Sequence, residues 1–166
     1  MVSFFCVFLH LIMNPQQDIQ VRQRDDGRSE VLDPVRRRWV ALTSEECVRQ
    51  QTIRLLHDRY GYPLELMQVE GSISLGSLSR RCDIIVFSPD GHPWMIVECK
   101  RPNVKITQKT VDQACRYNTV LKVPYLVLSN GRNIIAISVD FDVGKLTVLP
   151  DIPKKISPEM LKRETK

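Results

Sequence analysis

The chain has 166 residues, 43% of them hydrophobic, which supplies one compact domain with a core and argues against a second. Lys and Arg number 24 against 19 Asp and Glu, a net charge of +5 that favours an anionic partner such as nucleic acid. Five Cys at irregular spacings, with no CxxC pair, exclude a disulfide framework and a zinc site and read as reduced residues of a cytoplasmic protein.

MVSFFCVFLHLIM, residues 1–13, is as long as the apolar core of a signal peptide, but no Lys or Arg precedes it and no small-residue cleavage site follows. It is too short to span a bilayer, so membrane attachment is not expected. A true start at Met13 explains the run better than Met1 followed by a membrane-attached tail. Residues 1–30 are therefore set apart as an N-terminal segment of uncertain start and poor order. Residues 31–150 form the domain, and residues 151–166 a charged C-terminal tail.

Asp25-Asp26-Gly27 reads as a turn, and DPVRRRWV as a short strand or arm. Thr43 opens a helix: TSEE matches the capping box, with Thr43 at the N-cap and Glu46 reaching back from the third helical position. The helix runs to about Tyr60 and stops at Gly61, just before Pro63. Its apolar stripe is Val48, Thr52, Leu55 and Leu56. Glu45 extends that stripe by one turn and, unlike Glu46, has no capping task. A strand follows within LELMQVEGSISLG.

RRCDIIVFSPDGHPWMIVECKRP, residues 80–102, then reads as a hairpin with charges inside its apolar runs. Asp90-Gly91 suits a two-residue type I′ turn, because both central positions need positive φ. That register sets Phe87 opposite Trp94, Ile85 opposite Ile96 and Asp83 opposite Glu98, all on one face, with Lys100 on the diagonal and Cys82 and Cys99 on the far face. Two carboxylates about 4 Å apart repel by about 4 kcal/mol at an effective dielectric of 20. A lysine on the same face, or a hard divalent cation with oxygen ligands, would neutralise them. A structural Asp/Glu/Lys network or a solvated edge hairpin fits the same spacing. Removing the charge at Asp83 or at Lys100 is expected to relieve the conflict, so that stability without metal holds or rises.

Pro102 ends the strand. Thr107 caps a second helix, QKTVDQACRYNTVL, with Val111, Ala114 or Cys115, Asn118 and Leu121 on one side. PYLVLSN, NIIAISVD and KLTVLPD are three further strand-like runs. The order predicts an α/β (α+β) fold with a mixed central sheet flanked by helices.

Asp83 followed by Glu98-Cys99-Lys100 resembles the core of the PD-(D/E)xK nucleases, and Gln113 with Tyr117 resembles the QxxxY motif of some of their branches. LDPVRRRWVALTSEECVRQ, VECKRPNVKIT and VPYLVLSNG are similar, more specifically, to stand-alone proteins like the N-terminal domain of type I restriction enzyme R subunits. The likeness covers roughly Val31 to Asp140. Cys82 stands where the motif has its Pro, and Arg132-Asn133-Ile134-Ile135 replaces aromatic and His positions.

The resemblance implies a restriction-endonuclease-like core and a Mg²⁺-dependent DNA endonuclease, with Mn²⁺ as substitute, acting in a restriction or repair setting. Asp83, Glu98 and the backbone carbonyl of Cys99 would be metal ligands, Lys100 and Gln113 further catalytic residues, and Glu45 and Tyr117 additional candidates. Arg80, Arg81, Arg101, Lys105 and Lys109 surround the proposed site as phosphate contacts, which position a duplex without reading its sequence. No small-molecule cofactor is implied. The chain has no Walker A loop, so any motor or specificity function would come from a separate subunit. The alternative is a DNA-binding or complex-assembly module that keeps the fold without turnover.

Overall fold

The computed structural model describes residues 19–75 and 78–154. The choice between Met1 and Met13 and residues 155–166 of the charged tail lie outside them, as do the side chains of Arg80, Tyr117 and Leu121.

Strands β1 (Val21–Gln23), β2 (Ser29–Asp33) and β3 (Arg38–Ala41) make a small antiparallel sheet in that order. The Asp25-Asp26-Gly27 turn joins the first two, with Gly27 at φ 79°. The domain boundary drawn at residue 31 falls inside β2. DPVRRRWV is a turn followed by β3. Asp33 Oδ1 accepts from the backbone N–H groups of Val35 and Arg36 and fixes that turn.

Helix α1 (Ser44–Arg54) continues into one wider, π-type turn at Leu55–Arg59 and ends at Gly61, φ 75°. Thr43 Oγ1 caps it, accepting from Glu46 N at 3.0 Å. The reciprocal half of the capping box does not form, because the Glu46 carboxylate is taken by Arg36, Arg49 and Gln50. The buried stripe is Val48, Thr52, Ile53 and Leu56, with Leu55 only partly covered.

After β4 (Met67–Val69) come β5 (Ser72–Leu75), β6 (Leu78–Arg81), β7 (Ile84–Phe87), β8 (Pro93–Cys99), α2 (Gln108–Leu121), β9 (Tyr125–Ser129), β10 (Ile134–Asp140) and β11 (Lys145–Leu149). The fold is α/β, with a mixed six-stranded sheet in the order β11-β10-β9-β8-β7-β4 and a separate β5-β6 ribbon. Only the β8–β9 pair is parallel among its described pairings, and α2 is the crossover such a pair requires.

The two sheet faces carry different helices. Val48 and Ile53 of α1, with Leu56 of the π-type turn that continues it, pack with Ile84, Val86, Met95, Val97, Cys99 and Val127. On the opposite face, Val111, Ala114 and Cys115 of α2 pack with Ile85, Ile96, Leu126, Leu128 and Ile137. Each fully buried Ile, Leu or Val contributes about 1.5–3 kcal/mol relative to exposure, so the central hairpin, inaccessible at Ile84, Ile85 and Val86, is the anchored part of the fold. Among the described residues no helix is long and apolar enough to cross a membrane.

Candidate active site at the end of the central hairpin

The predicted register holds in the middle of the hairpin, where Ile84 pairs with Val97, Ile85 with Ile96 and Val86 with Met95. Towards the turn it shifts, and Phe87 pairs with Pro93 instead of Trp94. The turn is the cause. Gly91 N donates to Ser88 O, which makes Pro89 and Asp90 the central residues, and Gly91 rather than Asp90 takes positive φ, at 85°. The extra residue is absorbed as a bulge.

At the other end the alternation of faces breaks at a bend on Asp83. Cys82 packs in the α2-side cluster with Ile85, three residues on, whereas Cys99 packs on the α1 side. The two cysteines therefore do not share a face. The bend is secured by two backbone bonds, Cys82 N to Gly71 O at 2.8 Å and Glu70 N to Asp83 O at 2.9 Å.

The bend turns the Asp83 side chain into the hairpin's end and towards α1. Its Oδ2 accepts from the backbone N–H of Cys99 at 2.7 Å, and its Oδ1 accepts from Arg49 Nη2 at 2.8 Å. The first bond ties Asp83 to the peptide unit joining Glu98 to Cys99, so the two acidic residues lie on neighbouring strand ends. The Glu98 side chain pairs with Lys100, Oε1 to Nζ, at 2.6 Å. Both carboxylates keep solvent access, with side-chain exposures of 18% for Asp83 and 20% for Glu98. Burial pushes the Cys99 thiol well above its usual pKa, and the adjacent Asp83 carboxylate adds to that.

Behind Asp83 lies a charge network that the sequence reading did not assign. Arg49, 5% exposed, bridges Asp83 and Glu46, with Glu45 at 3.7 Å and Glu70 at 3.9 Å. Burial opposes the Arg49 charge, but the Asp83 hydrogen bond and the Glu46 and Asp83 charges outweigh it and raise the guanidinium's pKa. Arg36 links Asp33 and Glu70, both at 2.7 Å, and Glu46 at 2.5 Å. Gln50 Nε2 donates to Asp33 and Glu46. The available signal was spacing: Arg49 stands three and four residues after Glu46 and Glu45, beside the apolar Val48–Thr52 stripe.

The other candidates are more dispersed. Arg81 is exposed at its surface but engages Glu70 at 2.8 Å. Arg101, Lys105, Lys109 and Gln113 are exposed on the loop after β8 and the start of α2. Asn130 fastens that loop to the one after β9: its Nδ2 donates to Val104 O at 2.9 Å, and its Oδ1 accepts from Arg132 N and Asn133 N. Lys100 N donates to Ser129 O at 2.8 Å. The basic loop thus stands at the carboxyl ends of the parallel strands β8 and β9, beside Glu98 and Lys100.

The family described as type I restriction enzyme R protein N terminus matches residues 44–153, from the first turn of α1 to beyond β11. The chain belongs to that family. The matched region holds Glu45, Arg49, Asp83, Glu98, Lys100, Gln113 and Tyr117, while Asp33 and Arg36 precede it. A solved structure, described as a fragment of an HsdR subunit of a type I restriction enzyme from Vibrio vulnificus YJ016, is 20% identical, with a TM-score of 0.45. The match covers 69% of this chain and 24% of that one, so this family member spans about a quarter of that chain's length. No curated protein matches the chain.

A divalent cation such as Mg²⁺ needs several oxygen donors. Among the described residues no three His, Cys, Asp or Glu side chains converge as a metal site. The set implied by the nuclease resemblance is smaller: two partly exposed carboxylates and a backbone carbonyl, all oxygen. A carboxylate offers about four lone-pair positions, so the two hydrogen bonds at Asp83 leave room for more. Mg²⁺ is commonly held by one or two carboxylates and completes its shell with water and substrate phosphate, so the donor chemistry fits.

Proposed function

We propose that the chain is a metal-dependent DNA nuclease domain that cleaves phosphodiester bonds in a restriction setting, with DNA and other restriction subunits, including a separate motor or specificity chain, as partners. The observation that carries this reading is the Asp83 Oδ2 to Cys99 N bond at 2.7 Å, which joins Asp83 to the end of the strand that bears Glu98 and leads into Lys100. Family membership supports the setting.

On this reading Asp83, Glu98 and the Cys99 carbonyl hold Mg²⁺ or Mn²⁺, which when bound supplies an acidified water and stabilises charge on the leaving oxygen. Lys100, 32% exposed at its side chain, presents its ammonium beside Glu98 and offsets negative charge developing on the scissile phosphate. Arg101, Lys105 and Lys109 contact flanking phosphates, and Arg81 joins them by exchanging Glu70 for a phosphate. Gln113 orients the substrate from α2, and Glu45 adds negative charge from α1.

The test is incubation of the purified protein with linear, circular, single-stranded and branched DNA, with Mg²⁺, with Mn²⁺ and with chelator. Metal-dependent cleavage that is lost in Lys100→Ala supports the nuclease. DNA binding without cleavage of any substrate assigns the chain to the non-catalytic module instead, a reading favoured by the engagement of both Asp83 oxygens by protein donors.

A further inference from the structure

The carboxylate best placed to receive a divalent ion is already held by a cation of the protein's own. Arg49 Nη2 lies 2.8 Å from Asp83 Oδ1, and the guanidinium is almost wholly withdrawn from water, so its charge is weakly screened. A guanidinium and a divalent ion on one carboxylate repel each other strongly at that depth. We propose that Arg49 is a built-in counter-cation that competes with the divalent ion for Asp83, so that the site loads only as Arg49 lets go. This inference rests on the reading of Asp83 as a metal ligand.

Two observations mark the alternative partners open to Arg49. Its Nε is buried and has no hydrogen-bond acceptor, so the fork is not at its best pairing. Two further carboxylates stand just beyond hydrogen-bond range, Glu45 at 3.7 Å from Nη2 and Glu70 at 3.9 Å from Nη1. A shift of about 1 Å lets the guanidinium keep Glu46, gain Glu45 or Glu70, and free Asp83 without becoming a buried unpaired charge, which would be strongly unfavourable. Release is therefore a change of partner within one cluster, and it couples metal loading to the position of α1.

The direct test is Mn²⁺ titration of the full chain, followed by the electron paramagnetic resonance signal of the free ion. Four proteins are compared: wild type, Asp83→Asn, Glu46→Gln/Arg49→Gln, which removes one charge of each sign, and that pair combined with Asp83→Asn. The Glu46→Gln/Arg49→Gln protein should bind Mn²⁺ at least ~tenfold more tightly than wild type, and adding Asp83→Asn should abolish the gain. Wild-type affinity in a folded double variant overturns the competition. If Asp83→Asn alone still weakens binding, the metal-ligand reading survives that result. No Mn²⁺ binding in any of the proteins removes that reading and this inference with it. Should the double variant fail to fold, wild-type protein answers through the ¹⁵N resonances of the Arg49 guanidinium. These should move on Mg²⁺ saturation, and an unmoved signal at saturation contradicts the proposal.

Discussion

Cys99 donates its backbone N–H to Asp83 Oδ2, so that a side-chain carboxylate closes the end of the β7–β8 ladder. The same carboxylate anchors Arg49 of α1, making Asp83 a joint between the sheet and the helix packed on it. A residue with two such bonds cannot be removed as a mere relief of charge repulsion, which is what its spacing from Glu98 implied.

Asp83→Ala is therefore expected to lower stability by about 2–4 kcal/mol, since it strands the Cys99 N–H and leaves Arg49 short of a partner. Urea denaturation of both proteins measures the difference. An unchanged or higher midpoint would show that the opposed-charge picture was the correct one.

Asp33 is fully buried and accepts from Val35 N, Arg36 N, Arg36 Nε and Gln50 Nε2. Replacing it with Ala removes four donors' partner in a site closed to water, and a loss of about 3–5 kcal/mol follows. Lys100→Ala is the comparison, because its ion pair with Glu98 is partly exposed and worth about 0–1 kcal/mol. If the two variants melt together, the network around Arg36 does not hold the β2–α1 junction.

The elements themselves were legible wherever local chemistry acts alone. QKTVDQACRYNTVL gave α2 to the residue, since Thr107 and Pro124 bracket a clean 3.6-residue pattern. PYLVLSN and NIIAISVD gave β9 and β10 as short apolar, β-branched runs on either side of the Asn130-Gly131 break. The site was legible as residues but not as directions. Period-two alternation placed Asp83, Ile85 and Phe87 on one face, and a single bend at Asp83, set by backbone bonds to Glu70 and Gly71, redirected the side chain. Glu46 shows the same limit. The capping box assigned its side chain a local partner, but the carboxylate instead meets Arg49, one helical turn on, and Arg36, ten residues back on a different element.

Alkaline pH provides a separate check on the packing around Tyr62, whose hydroxyl donates to Pro153 O at 2.8 Å. Burial pushes its pKa up to about 12, above the ordinary 10.0. Between those values the unfolded chain loses the tyrosine proton while the folded chain keeps it, so stability present below pH 10 falls as pH rises towards 12. The slope approaches about 1.4 kcal/mol per pH unit for this proton. Denaturation series of wild type and Tyr62→Phe across that window should show a shallower loss in the variant. Parallel curves would mean that Tyr62 titrates alike in both states.

The central claim is that Asp83 and Glu98 together receive a divalent ion, and the thermal midpoint with and without Mn²⁺ tests it most directly. Binding to the folded state at 100 times the dissociation constant stabilises by about 2.7 kcal/mol, which for a chain of this size raises the midpoint by about 5–10 °C. Mn²⁺ suits the same oxygen ligands as Mg²⁺ and binds them more tightly. The account predicts that rise in wild type and its loss in both Asp83→Asn and Glu98→Gln, each compared with its own metal-free midpoint. A rise that survives both substitutions contradicts the account and places the ion elsewhere.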